Sequence, residues 1–367
     1  MLIVLVAGAR PNFMKVGPVL AALEERDARV VLVHTGQHYD NSMSDVFFEE
    51  LGIREPDRHL GAGRGSHAAQ TASVMTSFES LLEEFRPDIV VVPGDVNGTL
   101  ACALVAAKAG ALVGHIEAGL RSRDWSMPEE INRVVTDRVS DFLFAPSADA
   151  VDNLRSEGYR EDQIHLVGNV MVDTLLRNLE RARRRPTLTD LGLEPGGYGA
   201  VTLHRPANVD DPSVLQALFA TLATVAERIP LILPAHPRAA DRMRQANPSA
   251  RLRIIEPLGY LDFLALQADA AVVLTDSGGI QEETTALGVP CLTLRENTER
   301  PVTVTEGTNR VVGRDGDAIL AAVEDALAGR FPVRRPALWD GAAGARIAEV
   351  LLDVDPGYAL RPTALPG

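Results

Sequence analysis

Short apolar runs alternate with amphipathic stretches along almost the whole chain. The runs are continuous and rich in β-branched residues, which is typical of strands buried on both faces of a sheet. The stretches between them, such as PSVLQALFATLATVAER, repeat their apolar residues with helical spacing. This alternation predicts an α/β fold in which parallel sheets carry helices on both faces. The twelve predicted strands span residues 2–6, 30–34, 88–92, 112–116, 142–145, 164–167, 200–203, 230–233, 253–255, 271–274, 290–294 and 309–312.

The alternation is interrupted once, near the middle of the chain. After the strand at 164–167, an amphipathic stretch ends in a basic run at 181–186 and continues into LTDLGLEPGGYG. We interpret this region as the connection between two halves, with a hinge near 168–173, because a solvated helix end leads into a linker. The prediction is two Rossmann-like domains facing a central cleft, at 1–169 and 170–342. The C-terminal helix, within 343–367, is expected to pack back on the first domain.

Composition and charge exclude several classes of protein. The chain has 367 residues, 46% of them hydrophobic, and 36 Lys+Arg against 50 Asp+Glu give a formal net charge of −14. This hydrophobic fraction is typical of a folded protein, and the excess of acidic residues argues against a nucleic-acid partner. Two distant cysteines, Cys102 and Cys291, cannot form a disulfide framework. With no long apolar span and no secretory signal at the N-terminus, we expect a cytoplasmic protein without a membrane partner.

Polar side chains collect where predicted strands end, which is where open α/β sheets bind ligands. They include Arg10, Lys15, Asp95, His115, Glu117, His204, His236, Asp276 and Ser277. Several keep a structural alternative: Arg10 and Lys15 suit either a phosphate or a surface salt bridge, and Asp95 suits a helix N-cap. His115 and Glu117 share one face of a strand, but no third ligand is suitably spaced, so we predict no metal site.

The strongest local signal is TDSGGIQEETTALG, directly after an apolar run. Consecutive glycines at the start of a helix leave backbone N–H groups open to a diphosphate, and an acid in the first turn would reach a ribose hydroxyl. A capped helix with an acidic first turn is the structural alternative. The chain lacks the GxxxxGK[ST] phosphate loop, a GxGxxG after a predicted strand, and the GxSxG nucleophile elbow. Kinases, nicotinamide dehydrogenases and α/β-hydrolases therefore fit poorly.

Taken in order, eight segments resemble the UDP-N-acetylglucosamine 2-epimerase family of the non-hydrolysing type. They are GARPNFMK, TGQHYD, GDVNGTLA, HIEAGLRS, MPEEINR, TLHRPANVD, TDSGGIQEE and RENTERPVTVTEGTN. The resemblance implies a GT-B type fold, a cleft that holds UDP-sugar substrate and UDP, a homodimer, and no cofactor. It also implies interconversion of UDP-GlcNAc and UDP-ManNAc, a precursor for envelope polysaccharides.

Matching the family's motifs assigns roles to individual residues. The catalytic residues would be Asp95, Glu117, Glu129 and His204. The substrate-binding residues would be Arg10, Lys15, Arg133, Phe263, Ser277, Gly278, Gly279, Glu283 and Arg300. Some bacterial members carry a second, activating UDP-GlcNAc site, which Gln37, Arg205 and His236 would form here. Asp40 and Ala207 depart from the family's pattern, and so does the segment DWSMPEE.

The family's chemistry explains these residue types. The C2 proton is not adjacent to a carbonyl, so its direct removal would be very unfavourable. If UDP departs first, positive charge develops at C1 and the C2 proton becomes removable, which gives 2-acetamidoglucal and bound UDP. Re-addition of UDP with protonation of the other face gives the epimer. We expect Asp95 and Glu117 to act on opposite faces while Glu129 orients the site. Four alternatives remain: hydrolysis to free ManNAc, a related N-acylated UDP-sugar as the substrate, a glycosyltransferase, and a catalytically silent UDP-sugar sensor.

Overall fold

Two compact units make up the chain, one from Met1–Thr174 with the segment beginning at Ala337, the other from Leu175–Pro336. The computed structural model describes residues 1–8, 10–36, 50–63, 65–235 and 237–354, and only the backbone of Arg10, Pro11, Pro237 and Arg238. The domain ranges drawn from the sequence, 1–169 and 170–342, stay a prediction.

The first unit contains a parallel sheet whose seven described strands run in the order β3-β2-β1-β4-β5-β6-β7. They are β1 (Leu2–Ala7), β2 (Arg29–His34), β3 (Arg58–His59), β4 (Ile89–Pro93), β5 (Leu112–Ile116), β6 (Phe142–Ala145) and β7 (Ile164–Leu166). The central strands β1 and β4 are apolar along their whole length, and β4 and β5 are fully buried. Because β1 neighbours β2 on one side and β4 on the other, the strand order reverses there, and the carboxyl ends of β1 and β4 open a crevice.

Helices cover both faces of this sheet. They are α1 (Arg10–Glu24), α2 (His67–Phe85), α3 (Asn97–Ala109), α4 (Pro128–Val139), α5 (Ala148–Ser156), α6 (Val170–Arg183) and, far along the chain, α15 (Ala343–Leu352). One face is filled by α2 and α3, whose Val74, Phe78 and Cys102 pack against β1 and β4. On α6, buried Asp173 accepts the backbone N–H groups of Ala343 and Gly344 at the start of α15. These two bonds tie the start of α15 to α6.

The second unit repeats the plan with six described strands in the order β10-β9-β8-β11-β12-β13. They are β8 (Gly199–Thr202), β9 (Leu231–Pro234), β10 (Leu252–Ile255), β11 (Val272–Thr275), β12 (Cys291–Thr293) and β13 (Asn309–Val311). Its helices are α7 (Thr187–Leu191), α8 (Pro206–Val209), α9 (Pro212–Arg228), α10 (Pro237–Ala246), α11 (Tyr260–Ala268), α12 (Gly278–Leu287), α13 (Pro301–Thr305) and α14 (Gly316–Leu327). The order reverses between β8 and β11, so here too a ligand crevice opens at their carboxyl ends.

The sequence prediction of parallel α/β architecture is confirmed. All twelve predicted strands form, and each end lies within one residue of the prediction. The missed strand is β3, two exposed residues that pair with the end of β2. It carries no apolar run, so periodicity could not reveal it.

Candidate functional site

In the first unit, the turn after β4 carries Asp95. The helix that follows has Val96 at its N-cap and no side-chain capping bond. The alternative interpretation of Asp95 as an N-cap is therefore wrong. Its half-buried carboxylate instead accepts a hydrogen bond from Arg133 Nη2 on α4.

Lys15 and Glu117 form an ion pair beside that turn. Lys15 Nζ on α1 donates to Glu117 Oε2 over 2.6 Å, and both side chains are largely buried. Glu117 adopts a left-handed backbone conformation with φ 70° directly after β5. Its second oxygen, Oε1, is buried and has no hydrogen-bond partner among the described residues. A charged carboxylate with one oxygen uncommitted is suited to accept a proton from a ligand.

Gly94 allows this approach of lysine to glutamate. Its φ is +65°, and a Cβ there would lie 2.8 Å from Lys15 Nζ. A side chain at this position would be strained by the backbone and would push the ammonium group away.

On α4, the two neighbouring glutamates differ in environment. Glu129 is exposed at the start of the helix, whereas Glu130 is buried. Glu130 Oε2 accepts from Arg133 Nη1 over 2.7 Å, and its carboxylate also accepts the backbone N–H groups of Ser122 and Arg123. Burial alone would raise the pKa of Glu130, but these bonds and Arg133 hold it below its usual value. Arg133 therefore joins Asp95 to Glu130, and Glu130 is a residue that the sequence prediction did not include.

Behind these groups lies a fully buried pair, His115 and Asp137. His115 Nδ1 is 2.6 Å from Asp137 Oδ1, and its Nε2 is 2.8 Å from the carbonyl oxygen of Gly94. Both ring nitrogens of His115 therefore face a hydrogen-bond acceptor. Asp137 also pairs with Arg121 over 2.7 Å and accepts from the Gly119 N–H. Burial would raise the pKa of Asp137, but its contacts with the His115 imidazole and the Arg121 guanidinium hold that pKa below its usual value. His115 is therefore a buried histidine with both ring nitrogens bonded, which is typical of a structural residue.

In the second unit, His204 follows β8 and lies against Asp276, which follows β11. His204 Nδ1 donates to Asp276 Oδ1 over 2.8 Å. Asp276 is fully buried and also accepts the backbone N–H of Arg205 and the Nδ2 group of Asn208. Burial would raise the pKa of Asp276, but these bonds and the imidazole lower it.

The glycine turn begins directly after Asp276. Ser277 is the N-cap of α12 but makes no side-chain capping bond, and α12 begins with Gly278 and Gly279. A Cβ at Gly279 would meet nothing within 4 Å, and one at Gly278 would meet only Glu299 Oε2 at 3.7 Å. The first N–H groups of α12 therefore lie on open backbone, which is the arrangement that binds phosphate.

Further along α12, two glutamates are buried with different partners. Glu282 Oε1 accepts from Arg300 Nε over 2.8 Å, while Glu283 Oε2 accepts a neutral amide bond from Gln267 Nε2, also over 2.8 Å. Burial, together with the nearby charge of Glu282, raises the pKa of Glu283 to about 7. Phe263 on α11 is half-buried and packs against the apolar cluster beneath this helix.

The residues assigned to an activating site are only partly described. Gln37 and His236 lie outside the described residues. The same holds for the side chain of Arg10, a predicted substrate-binding residue at which α1 begins. Arg205 is half-buried, and its Nη2 lies 3.8 Å from Glu299 Oε1. Glu299 also accepts two bonds from Arg295, of 2.8 and 2.9 Å. Burial would raise the pKa of Glu299, but these arginines lower it to about 2.

The structure therefore forms two clusters of the predicted residues, one in each unit. The first contains Lys15, Asp95, Glu117 and Arg133, and the second contains His204, Ser277, Gly278, Gly279, Glu283 and Arg300. Among the described residues, no group of three or more His, Cys, Asp or Glu side chains could hold a metal ion. Nor does any helix in the described part of the chain have the length and apolar character needed to cross a membrane.

Known proteins of one family are similar to this chain over most of its length. The family model of UDP-N-acetylglucosamine 2-epimerase matches residues 21–352. A Methanocaldococcus jannaschii protein named UDP-N-acetylglucosamine 2-epimerase is 41% identical over 95% of this chain and 98% of its own length. A crystal structure of UDP-GlcNAc 2-epimerase from that organism, in complex with UDP-GlcNAc and UDP, matches with a TM-score of 0.84 and 40% identity, covering 96% of this chain and 99% of the other.

A third relative carries a different name. The UDP-2,3-diacetamido-2,3-dideoxy-D-glucuronate 2-epimerase of Pseudomonas aeruginosa is 39% identical over 96% of this chain and 99% of its own length. The likeness to solved epimerases confirms the α/β fold with two Rossmann-like domains of the GT-B type. The family match, which covers most of the chain, confirms the resemblance seen in the motifs. The chain belongs to the UDP-N-acetylglucosamine 2-epimerase family, a family of isomerase enzymes.

Proposed function

We propose that this enzyme interconverts UDP-GlcNAc and UDP-ManNAc without net hydrolysis and without a redox cofactor. Family membership and the complex of the M. jannaschii protein with UDP-GlcNAc and UDP support the substrate. The observation that carries the chemistry is Glu117, an acid paired with Lys15 whose buried Oε1 has no partner among the described residues. Its place as a cytoplasmic enzyme of envelope-precursor synthesis stays a prediction.

The first unit supplies the proton chemistry in this proposal. Glu117 pairs with Lys15, and Asp95 pairs with Arg133. One of these two carboxyl groups removes the proton from C2 of the sugar. The other has taken up a proton from solvent and delivers that solvent proton to the opposite face of C2. Exposed Glu129 at the start of α4 orients the sugar.

The second unit supplies the binding of UDP. The free N–H groups of α12 at Gly278 and Gly279, together with His204 and Arg300, attract the diphosphate. Glu283 accepts a ribose hydroxyl. As the C1–O bond breaks, its electron pair goes to the β-phosphate, which leaves as UDP while the C1–C2 double bond of 2-acetamidoglucal forms. Donors that lie close to the departing oxygen stabilise its growing charge.

Proton NMR of UDP-GlcNAc incubated with the purified protein in D₂O tests the proposal. Deuterium at C2 together with UDP-ManNAc is the expected result, since the proton exchanges while UDP stays bound. Free ManNAc and UDP would instead establish the hydrolysing reaction. An unchanged spectrum would contradict the substrate assignment.

The Glu117→Gln and Asp95→Asn variants separate chemistry from binding. Each keeps the side-chain shape but removes the proton acceptor, so turnover should fall about 10²- to 10⁴-fold. Affinity for UDP, measured by calorimetry, should stay close to that of the wild type. A variant with wild-type turnover would remove its residue from the mechanism.

A related N-acylated UDP-sugar is the second candidate substrate. The Pseudomonas relative is almost as similar as the Methanocaldococcus one, at 39% against 41% identity. The ratio of kcat/KM for UDP-GlcNAc and UDP-2,3-diacetamido-2,3-dideoxy-D-glucuronate decides between them. A ratio above one supports the proposal, and a ratio far below one would replace the substrate.

The proposal includes a homodimer, as the family resemblance implies. On α4, Ile131 and Val135 are one turn apart and are 43% and 36% exposed. Ile131 borders a cavity of about 420 Å³ whose other lining includes Thr71 and Met75 of α2. Ile131→Asp should convert a dimer to a monomer in light scattering. Leu327→Asp, at an equally exposed apolar position on α14, is the matched control and should stay dimeric.

A further inference from the structure

The Asp276 carboxylate accepts hydrogen bonds from two backbone N–H groups and from two side chains. The backbone N–H groups of His204 and Arg205 reach it over 3.1 and 3.0 Å, and Asn208 Nδ2 over 3.1 Å. These three donors already hold the loop after β8 against the end of β11. The fourth bond, from His204 Nδ1 over 2.8 Å, fixes the orientation of the imidazole ring.

That side chain is 59% exposed, although its partner is fully buried. An exposed histidine ordinarily samples several rotamers, and the bond to Asp276 restricts this one. Because Nδ1 faces the carboxylate, Nε2 lies on the opposite edge of the ring, away from Asp276. The ring is therefore oriented by a group that lies out of reach of any ligand of Nε2.

Two arginines of the second unit have counter-ions of their own. Arg205, the residue after His204, lies near Glu299, which in turn holds Arg295. Arg300 pairs with Glu282. The ionised carboxylate in contact with the imidazole is Asp276, from the end of β11. Among the described residues, Asp276 is thus the carboxylate placed to balance a positive charge on the ring.

We propose that Asp276 is a positioning residue that acts through His204. It holds the ring so that Nε2 faces the departing phosphate, and it balances the charge that the ring carries when both nitrogens are protonated. The Nε2–H group then donates to the oxygen that receives the electron pair of the broken C1–O bond. This inference rests on the proposed function, because His204 must contact the diphosphate.

A double-mutant cycle of His204→Asn and Asp276→Asn tests it. His204→Asn should lower kcat about 10²-fold. Asp276→Asn keeps an oxygen for the backbone N–H groups but removes the charge, and it should lower kcat about tenfold or more with a smaller change in KM. If Asp276 acts through His204, the double variant should turn over no more slowly than His204→Asn alone.

Asn208→Ala is the matched control. It removes one bond to Asp276 and one to the carbonyl of Leu294, but leaves the imidazole contact in place. It should lower stability and leave kcat near the wild-type value. Equal losses of kcat from Asp276→Asn in both backgrounds, or the same loss from Asn208→Ala, would show a merely structural role and overturn the proposal.

A spectroscopic measurement on the wild-type protein tests the His204–Asp276 contact without relying on turnover or on the folding of Asp276→Asn. In ¹⁵N-histidine-labelled wild-type protein, with His204→Asn used for assignment, Nδ1 of His204 should be protonated. A ring protonated only at Nε2 would contradict the geometry. If the wild type lacks epimerase activity but shows protonated Nδ1, the proposed function fails while the His204–Asp276 contact stands.

Discussion

Each unit contains a histidine–aspartate pair near the carboxyl ends of its strands, and the two pairs differ in burial. His115 and Asp137 are both 0% exposed, and both nitrogens of His115 are bonded. His204 is 59% exposed over a fully buried Asp276, and only its Nδ1 is committed to that partner. The same two residue types thus form an interior support in one unit and a surface donor in the other. Burial and the second ring nitrogen distinguish the two.

The interior pair also connects three segments of the first cluster. His115 Nε2 bonds the carbonyl of Gly94, beside Asp95, while Asp137 lies on α4 with Arg133 and bonds the N–H of Gly119, two residues after Glu117. Movement of either side chain would displace the proposed acids together. The exposed pair connects only the loop after β8 to the turn before α12.

The largest expected effect is on stability, from Asp137→Asn. Removing this carboxylate leaves His115 and Arg121 buried with less compensation, which should cost about 3–5 kcal/mol in unfolding free energy. Urea unfolding followed by circular dichroism measures it. A loss below about 1 kcal/mol, the range of exposed pairs, would contradict the role of an interior support.

Glu283 sharpens the comparison because it is a buried carboxylate that accepts a bond from an amide instead of a cation. Its pKa rises from 4.5 in the unfolded chain to about 7 in the folded one. Between these values the folded state holds a proton that the unfolded state has lost. Stability should therefore fall as pH rises from 4.5 to about 7, by on the order of 3 kcal/mol, and stay nearly level above that.

The Glu283→Gln variant has no such proton, so it should be the more stable protein at pH 8 and about equal to the wild type at pH 4.5. Unfolding curves at both pH values measure the difference. Asp137, whose pKa is lowered, has the opposite sign: its contribution is present above its unfolded value of 3.8 and is lost as pH falls through the folded one. A wild-type advantage over the Gln variant at pH 8 would contradict the raised pKa.

Exchanging each histidine for asparagine compares the pairs directly. His115→Asn leaves the buried carbonyl of Gly94 without its donor and should cost about 1–3 kcal/mol of stability. His204→Asn removes a mostly exposed ring, so unfolding should change by less than about 0.5 kcal/mol while turnover falls. Similar losses of stability from both variants would remove the distinction between interior and surface pairs.

The sequence predicted the strands because each is a continuous apolar run, and it predicted Asp95, Glu117 and His204 because each follows such a run. It could not pair His115 with Asp137, 22 residues away, or His204 with Asp276, 72 residues away. Those contacts depend on which strands and helices become neighbours. One signal was available: residues 130, 133 and 137 have helical spacing, which places Glu130, Arg133 and Asp137 on the inner face of α4.

The smallest expected effect comes from an exposed ion pair with equally good geometry. Arg155 Nε and Nη2 donate to the two carboxylate oxygens of Glu161 over 2.7 and 2.8 Å. Both side chains are in water, where the dielectric is high and salt screens their attraction. Arg155→Gln should therefore leave the urea midpoint unchanged within error, although the distances match those of the pair between Asp137 and Arg121. A loss comparable to that of Asp137→Asn would mean that contact geometry, and not burial, determines what a charge pair contributes in this fold.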